Sequence, residues 1–335
     1  MNPIPLTRCV FLAPFTNILN EMGAPTTSLL AKSHLPTHPE EKPNHYIALL
    51  PVLRFVTAAQ VSQGVTDFAF LAGQRLGFEA LNNQFRATVH HSPTLLAALR
   101  SFCRFIQLED TSLRIRLERH EDSLRVCYTN TFPGAERMPY LEHAQWIQNI
   151  GAILLVRQFA GPRWTPATFA FQSRYSPKTE TQFFWPDTRF LSGQKATWIE
   201  IPVSLLSLPN QASNPTRSQS LEPYRPIDGD VVNTFKLMLS SYLDEYVPAI
   251  TEAAEIAGTS VRSLQRALSA VDLTYSRLLD QVRFEKAAEM LRKTDAKIID
   301  VAYATGYENP SHFSRAFRRI AGVTPREFRE MSAAR

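Results

Sequence analysis

Apolar and polar positions keep a helical period through most of the last hundred residues, and one short phrase occurs there twice. In the first copy Ala254, Ala257, Leu264 and Leu268 are small or apolar, at spacings that turn two helices toward each other across a tight connection. Gly258 suits the left-handed conformation that ends a helix, and Ser260 suits the cap that accepts a bond from the unpaired amides of the next one. The second copy starts at Ile298, with Gly306 at its turn, Asn309 as cap and Pro310 as first helical residue, a favoured order. Superposed, Leu264-Gln265-Arg266-Ala267-Leu268 falls on Phe313-Ser314-Arg315-Ala316-Phe317, and the second turn is one residue longer after its glycine. The pattern predicts two helix-turn-helix motifs whose packing set is Ala257, Gly258, Leu264 and Leu268 in one and Gly306, Phe313 and Phe317 in the other. Core positions repeat while exposed ones differ, as expected of two similar units that read different pieces of DNA.

Between the copies, Leu278, Leu279, Val282, Ala287, Ala288 and Leu291 recur at helical spacing from Tyr275 to Arg292, without Gly or Pro. A helix of about eighteen residues spans about 27 Å. That length suits holding two recognition helices about one DNA turn, roughly 34 Å, apart.

The front of the chain alternates differently. Residues 1 to about 45 are rich in Pro, Thr and Asn and read mostly as loop; Tyr46 to Thr57 is strongly apolar around Pro51, and a helix is expected over Thr57 to Gln74. Ser92-Pro93-Thr94 predicts a helix start with Ser92 as cap, and Leu95, Leu96, Leu99, Phe102, Cys103 and Ile106 form its apolar face. Leu113, Ile115 and Leu117, then Leu124, Val126 and Tyr128, alternate with polar residues around a charged turn, the pattern of a β-hairpin with one buried face. A long helix is expected from Tyr140 to a stop at Gly161-Pro162, and strands at Thr168 to Tyr175 and Lys195 to Val203. From Pro209 to Asp230 the Pro-, Asn-, Ser- and Gln-rich composition predicts a linker. After it, Phe235, Met238, Leu239, Tyr242 and Tyr246 mark a further helix from Val231, either the first of the carboxy-terminal domain or a dimer contact. The expected organisation is residues 1–208 as an α+β regulatory domain, 209–230 as linker and 231–335 as an all-α domain in which a linker helix joins the two motifs.

Composition narrows the function. The 335 residues have a formal net charge of +5 and a pI of about 9.1, which permits nucleic acid as a partner without requiring it. Residues 231–335 hold fifteen Lys or Arg against thirteen Asp or Glu, an excess of only two, so affinity for DNA must come from placement of cations. Cys9, Cys103 and Cys127 are too scattered for a metal site or disulfide framework, and Cys103 on its apolar stripe reads as a packing residue. His90-His91 has no acidic partner at metal-ligand spacing. No apolar run near the start is long enough for a signal peptide or membrane span, so a soluble cytoplasmic protein without metal or cofactor is expected.

The segment built on Gly306-Tyr307, Phe313-Ser314-Arg315-Ala316-Phe317-Arg318-Arg319 and Gly322-Val323-Thr324-Pro325-Arg326-Glu327-Phe328-Arg329 resembles the DNA-binding domain of the AraC/XylS family of bacterial transcription regulators. More diffusely, Thr94-Leu95-Leu96-Ala97-Ala98-Leu99-Arg100 before a hairpin and a long helix resembles the arabinose-binding-type regulatory domain of one branch of that family. The resemblance implies a regulator, activation being the commoner behaviour, with RNA polymerase as a further partner.

Side-chain direction and the resemblance together select the DNA-facing residues. Leu264 and Leu268 face inward, leaving Arg262, Gln265 and Arg266 outward; Phe313 and Phe317 face inward, leaving Ser311, His312 and Arg315 outward. Arg matches guanine O6 and N7 and Gln matches adenine, about 1–3 kcal/mol of discrimination per good bidentate contact. Arg318, Arg319 and Arg326 are phosphate candidates, with pairing to neighbouring acids as the other use of Arg319 and Arg326. For the front domain, a small-molecule sensor, a homodimerising or protein-interaction module without effector, and an enzyme fused to the DNA-binding domain all stay open. The enzyme reading lacks the cysteine cluster or nucleophile elbow it needs. The sequence identifies no effector-binding residue.

Overall fold

The computed structural model describes residues 2–132, 134, 138, 140–210 and 230–333. The chain forms two units: one takes in Pro5–Asn44 and Pro51–Asp228, the other Gly229–Arg335 with two short pieces from the front, Met1–Ile4 and His45–Leu50. Residues 211–229, which hold most of the expected linker, lie outside the described residues.

In the larger unit the front is more regular than its composition suggests. β1 (Leu6–Arg8) leads to α1 (Ala13–Glu21) and α2 (Thr26–Lys32), where a loop was expected. Pro14 sits in the first turn of α1, where it breaks no backbone bond, and Phe15, Ile18 and Leu19 then recur at helical spacing and are buried. After β2 (Tyr46–Ala48), the expected helix over Thr57 to Gln74 is instead two: α3 (Leu49–Gln63), with Pro51 in its first turn, and α4 (Phe68–Gln74). Gly64 at φ +66° and Asp67 at φ +48° make the break. α5 (Asn83–His90) was not foreseen. α6 (Leu95–Phe105) buries Leu95, Leu99 and Phe102 as its stripe predicts, but its cap is Thr94, which accepts from the Ala97 amide at 3.3 Å. Ser92 instead donates to the Thr88 carbonyl and closes α5. Burial pushes the Cys103 thiol up to about 11, which suits packing and not nucleophilic attack.

β3 (Leu113–His120) and β4 (Ser123–Asn130) pair antiparallel from Leu113 opposite Asn130 to His120 opposite Ser123, the hairpin the alternation predicts. α7 (Leu141–Ala160) follows and ends at Gly161. β5 (Thr168–Ala170), α8 (Thr179–Phe184), β6 (Arg189–Leu191) and β7 (Thr197–Pro202) complete a five-stranded sheet in the order β3-β4-β7-β5-β6. β5 stops at Ala170, short of the strand expected to Tyr175. α7 packs on α4, α6 and β7, and its Trp146 lies among Phe70, Phe169, Phe171 and Trp185 with ring centroids 4.6–5.7 Å away. The unit is α+β, and no helix among the described residues is long and apolar enough to cross a membrane.

The other unit is helical apart from the short β2: α9 (Val231–Ser240), α10 (Ile250–Ile256), α11 (Val261–Ser269), α12 (Tyr275–Lys293), α13 (Ile298–Ala304), α14 (Pro310–Ala321) and α15 (Pro325–Ala333). Phe235, Met238, Leu239 and Tyr242 are buried on and after α9, while Tyr246 comes to the surface and donates to Glu252 at 3.0 Å. The front pieces join this unit through the Ile4 amide, which donates to Thr234 Oγ1 at 3.2 Å, and the Tyr46 carbonyl, which accepts from Ser241 Oγ at 2.6 Å.

Candidate nucleic-acid interface

Each recognition helix is placed by three local devices: a left-handed turn, a side-chain cap and two inward anchors. In the first, Gly258 takes φ +66°, Ser260 accepts from the Ser263 amide at 3.2 Å, and Leu264 and Leu268 are buried, as is Ala257. Gly258 itself lies exposed, so it serves through its backbone and not as part of the packed core among which it was expected. In the second, Gly306 takes φ +75° and is half-buried, Asn309 accepts from the Ser311 amide at 2.8 Å, and Phe313 and Phe317 are buried.

With those anchors fixed, the remaining faces point outward. Arg262, Gln265 and Arg266 are exposed on α11, and Ser311, His312, Arg315, Arg318 and Arg319 on α14. Arg266 and Arg315, which superpose in the repeat, have no salt bridge among the described residues, and neither does Arg262. Arg319 is different. Its guanidinium meets Asp280 Oδ2 on α12 at 2.6 Å, so it is paired with an acid of the linker helix. Arg326 meets Glu330 at 3.1 Å, one turn along α15. Both pairs are largely exposed and contribute about 1 kcal/mol or less.

The linker helix takes part in the architecture directly. Arg283 of α12 donates to the Gly306 carbonyl at 2.8 Å and stacks over the Tyr307 ring, its guanidinium carbon 4.6 Å from the ring centroid. One side chain thus fastens the second turn to the rod between the motifs. Its helical pattern was readable, but no signal in the spacing marked this polar residue as a clasp.

The carboxy-terminal phrase also acquires a physical meaning. Thr324 and Glu327 form a capping box: the Thr324 amide and hydroxyl donate to Glu327 Oε2 at 2.8 and 2.9 Å, and the Glu327 amide donates back to Thr324 Oγ1 at 3.3 Å. Those donors hold the Glu327 carboxyl below its ordinary range. Pro325 opens the helix, and Phe328 then meets Phe317 at 5.4 Å between ring centroids. This segment braces the second recognition helix from behind.

Comparison with known proteins agrees with both halves. Residues 23–210 match the family described as the arabinose-binding domain of AraC transcription regulators, and residues 253–331 match a helix-turn-helix domain family. The chain is 22% identical over 333 residues to the HTH-type transcriptional regulator VirS of Mycobacterium tuberculosis, covering 97% of this chain and 96% of that one. It is 31% identical over 141 residues to an ornithine utilization regulator of Pseudomonas aeruginosa, a match that spans 40% of this chain and 41% of that regulator's length. It is 40% identical over 78 residues to the HTH-type transcriptional activator RhaS of an Enterobacter species, spanning 23% of this chain and 28% of the activator.

Proposed function

Because the chain belongs to the AraC family of DNA-binding transcription regulators with an arabinose-binding-type amino-terminal domain, we propose that it places α11 and α14 in successive major grooves of a promoter and activates transcription there. The observation that carries this reading is the pair Arg266 and Arg315. They occupy one position of a repeated motif, both are exposed, and neither is neutralised by a neighbouring acid among the described residues. Arg262, Gln265, Ser311 and His312 complete the two base-reading faces, and Arg318 and Arg319 contact phosphate. Activation, with RNA polymerase as partner, is supported by the likeness to an activator over the motif region. The front unit controls the DNA-binding unit by sensing a small molecule in the cytoplasm, and no catalytic step is assigned to it.

The test is selection of binding sites from a random duplex library with the full chain, followed by titration of the selected site and a scrambled one at two salt concentrations. The selected site should bind at least about 10³-fold tighter than the scrambled one, as specific regulators do. Log affinity should fall with log salt by about 0.9 per neutralised phosphate. Equal affinity for both sites, or binding indifferent to salt, would contradict the proposal.

A further inference from the structure

The larger unit contains a recess bordered by α6, α7 and the segment leading into β3. It is open at its mouth and holds about 330 Å³ of space, part of it open solvent. Its depth admits a small group such as an ammonium head, with the remainder of a ligand lying toward the mouth. Its walls include Phe11, Phe102 and Leu113, and beside Thr7 its polar side is formed by three larger side chains, Glu109, Asp110 and Gln148.

These three polar side chains are not equivalent. Glu109 is already neutralised: Arg8 Nη1 donates to Oε2 at 2.7 Å, and the Asn82 amide donates to Oε1. Asp110 is 5% exposed and uses Oδ1 alone, accepting from the Ser112 amide at 2.8 Å and the Ser112 hydroxyl at 2.6 Å. Among the described residues nothing donates to its Oδ2 and no cation pairs with it. Burial accordingly pushes its carboxyl up to about 6. Gln148 is 7% exposed; its Nε2 donates to Asn130 at 3.3 Å, while its buried Oε1 has no donor. Two acceptors without donors therefore line one recess, one of them a carboxylate with no counterion. A buried charge in that state is unfavourable until a cation reaches it.

We propose that this recess is the effector site and that it takes a small cationic amine, with the ammonium at Asp110 Oδ2 and Gln148 Oε1 and an apolar body against Phe11, Phe102 and Leu113. The assignment rests on the reading of the front unit as a sensor. An ammonium supplies only donors and a positive charge, which is what these two oxygens lack. An anionic ligand would meet the unpaired Asp110 carboxylate as a like charge. A sugar would set many hydroxyl groups against phenyl and leucyl walls that offer them no partner.

The test is calorimetric titration of the purified full chain with benzylamine, benzyl alcohol, benzoate and L-arabinose, with DNA selection on the same preparation. Benzylamine should bind saturably at one site per chain, and the three others at least about tenfold more weakly, the effect of one charge-assisted hydrogen bond. Asp110→Asn, which keeps the Ser112 acceptor, should weaken benzylamine about tenfold or more, and Gln148→Met by a smaller factor. Should Asp110→Asn melt far below the native chain, Gln148→Met decides. Absence of saturable amine binding, equal binding of benzyl alcohol, or unchanged affinity in the folded variants would overturn the site. Those results with DNA selection intact would leave the regulator reading standing. Amine binding by a chain that selects no DNA would sink the regulator reading and retain the site.

Discussion

The two helix-turn-helix motifs share a sequence phrase and differ in what holds it. In the first, two leucines seat α11 against α10 and α9, and α9 in turn carries the bonds to Ile4 and Tyr46 from the front of the chain. In the second, α14 packs on α12, α13 and α15 through an aromatic cluster. Phe313 and Phe317 lie 5.8 Å apart, Phe284 is 4.9 Å from Phe317, and Tyr307 is 5.6 Å from Phe313. Both motifs also lean on the region of α9, which packs on α12 as well as on α11, and Gly306 of the second motif lies against Leu243 and Val247 just beyond it.

The contrast is open to direct attack, most severely through the cores. Phe317→Ala removes the ring shared by α12, α14 and α15 and should lower the unfolding free energy of the carboxy-terminal unit by about 3–5 kcal/mol; Leu268→Ala should cost less, about 2–3 kcal/mol. Denaturant unfolding measures both, and a larger loss in Leu268→Ala would reverse the assignment of the better-braced motif.

The turns give a smaller effect in the same direction. A Cβ at Gly306 would lie 2.8 Å from Val247 Cγ2 and 3.0 Å from the Leu243 carbonyl oxygen, one a backbone atom, in a left-handed conformation. At Gly258 it would meet only the end of the Leu50 side chain, at 2.6 Å. Gly306→Ala should destabilise by about 3 kcal/mol and Gly258→Ala by about 1–2 kcal/mol, the latter being mostly the left-handed penalty. Thermal melts of the two variants compare them, and a more stable Gly306→Ala would contradict the packing described.

Function should divide more evenly than stability. Arg266→Ala and Arg315→Ala are each expected to weaken specific DNA binding by about 1–3 kcal/mol with the fold intact. Equal losses on selected and scrambled DNA would make either residue a phosphate contact.

The smallest effect concerns acid. The depressed Glu327 carboxyl binds fewer protons folded than unfolded, so its contribution to α15 is present above its ordinary value near 4.5 and is lost as pH falls through the lower folded value. Amide exchange should show α15 loosening below that range before α11 does, and Glu327→Gln should blunt the pH dependence. Simultaneous loosening of both helices would contradict a role for the capping box.

The same comparison explains what was legible beforehand. Leu264, Leu268, Phe313 and Phe317 were readable as anchors because burial imposes a period, and Ser260 and Asn309 as caps because unpaired amides demand an acceptor at one position. Arg283 was not, because a polar residue on a helical pattern leaves no trace of the carbonyl it finds. In the front unit the period survived in α6, the hairpin and α7, but Pro14 helped disguise α1 as loop, and Pro51 put off the expected start of the next helix from Leu49 to Thr57. Proline in a first turn is compatible with helix, and composition alone cannot tell that position from an interior one. Asp110 and Gln148 had no sequence signal, since the recess exists only where α6, α7 and β3 converge.

The central claim is that two unlike recognition helices read two adjacent stretches of one site. It is tested most directly by recovering genomic fragments bound by the purified full chain, alongside Arg266→Ala and Arg315→Ala as separate variants. The account predicts an asymmetric motif with two elements about one helical turn apart. Each variant should lose information in one element and keep it in the other. A single element, or a motif that both variants degrade uniformly, would contradict it.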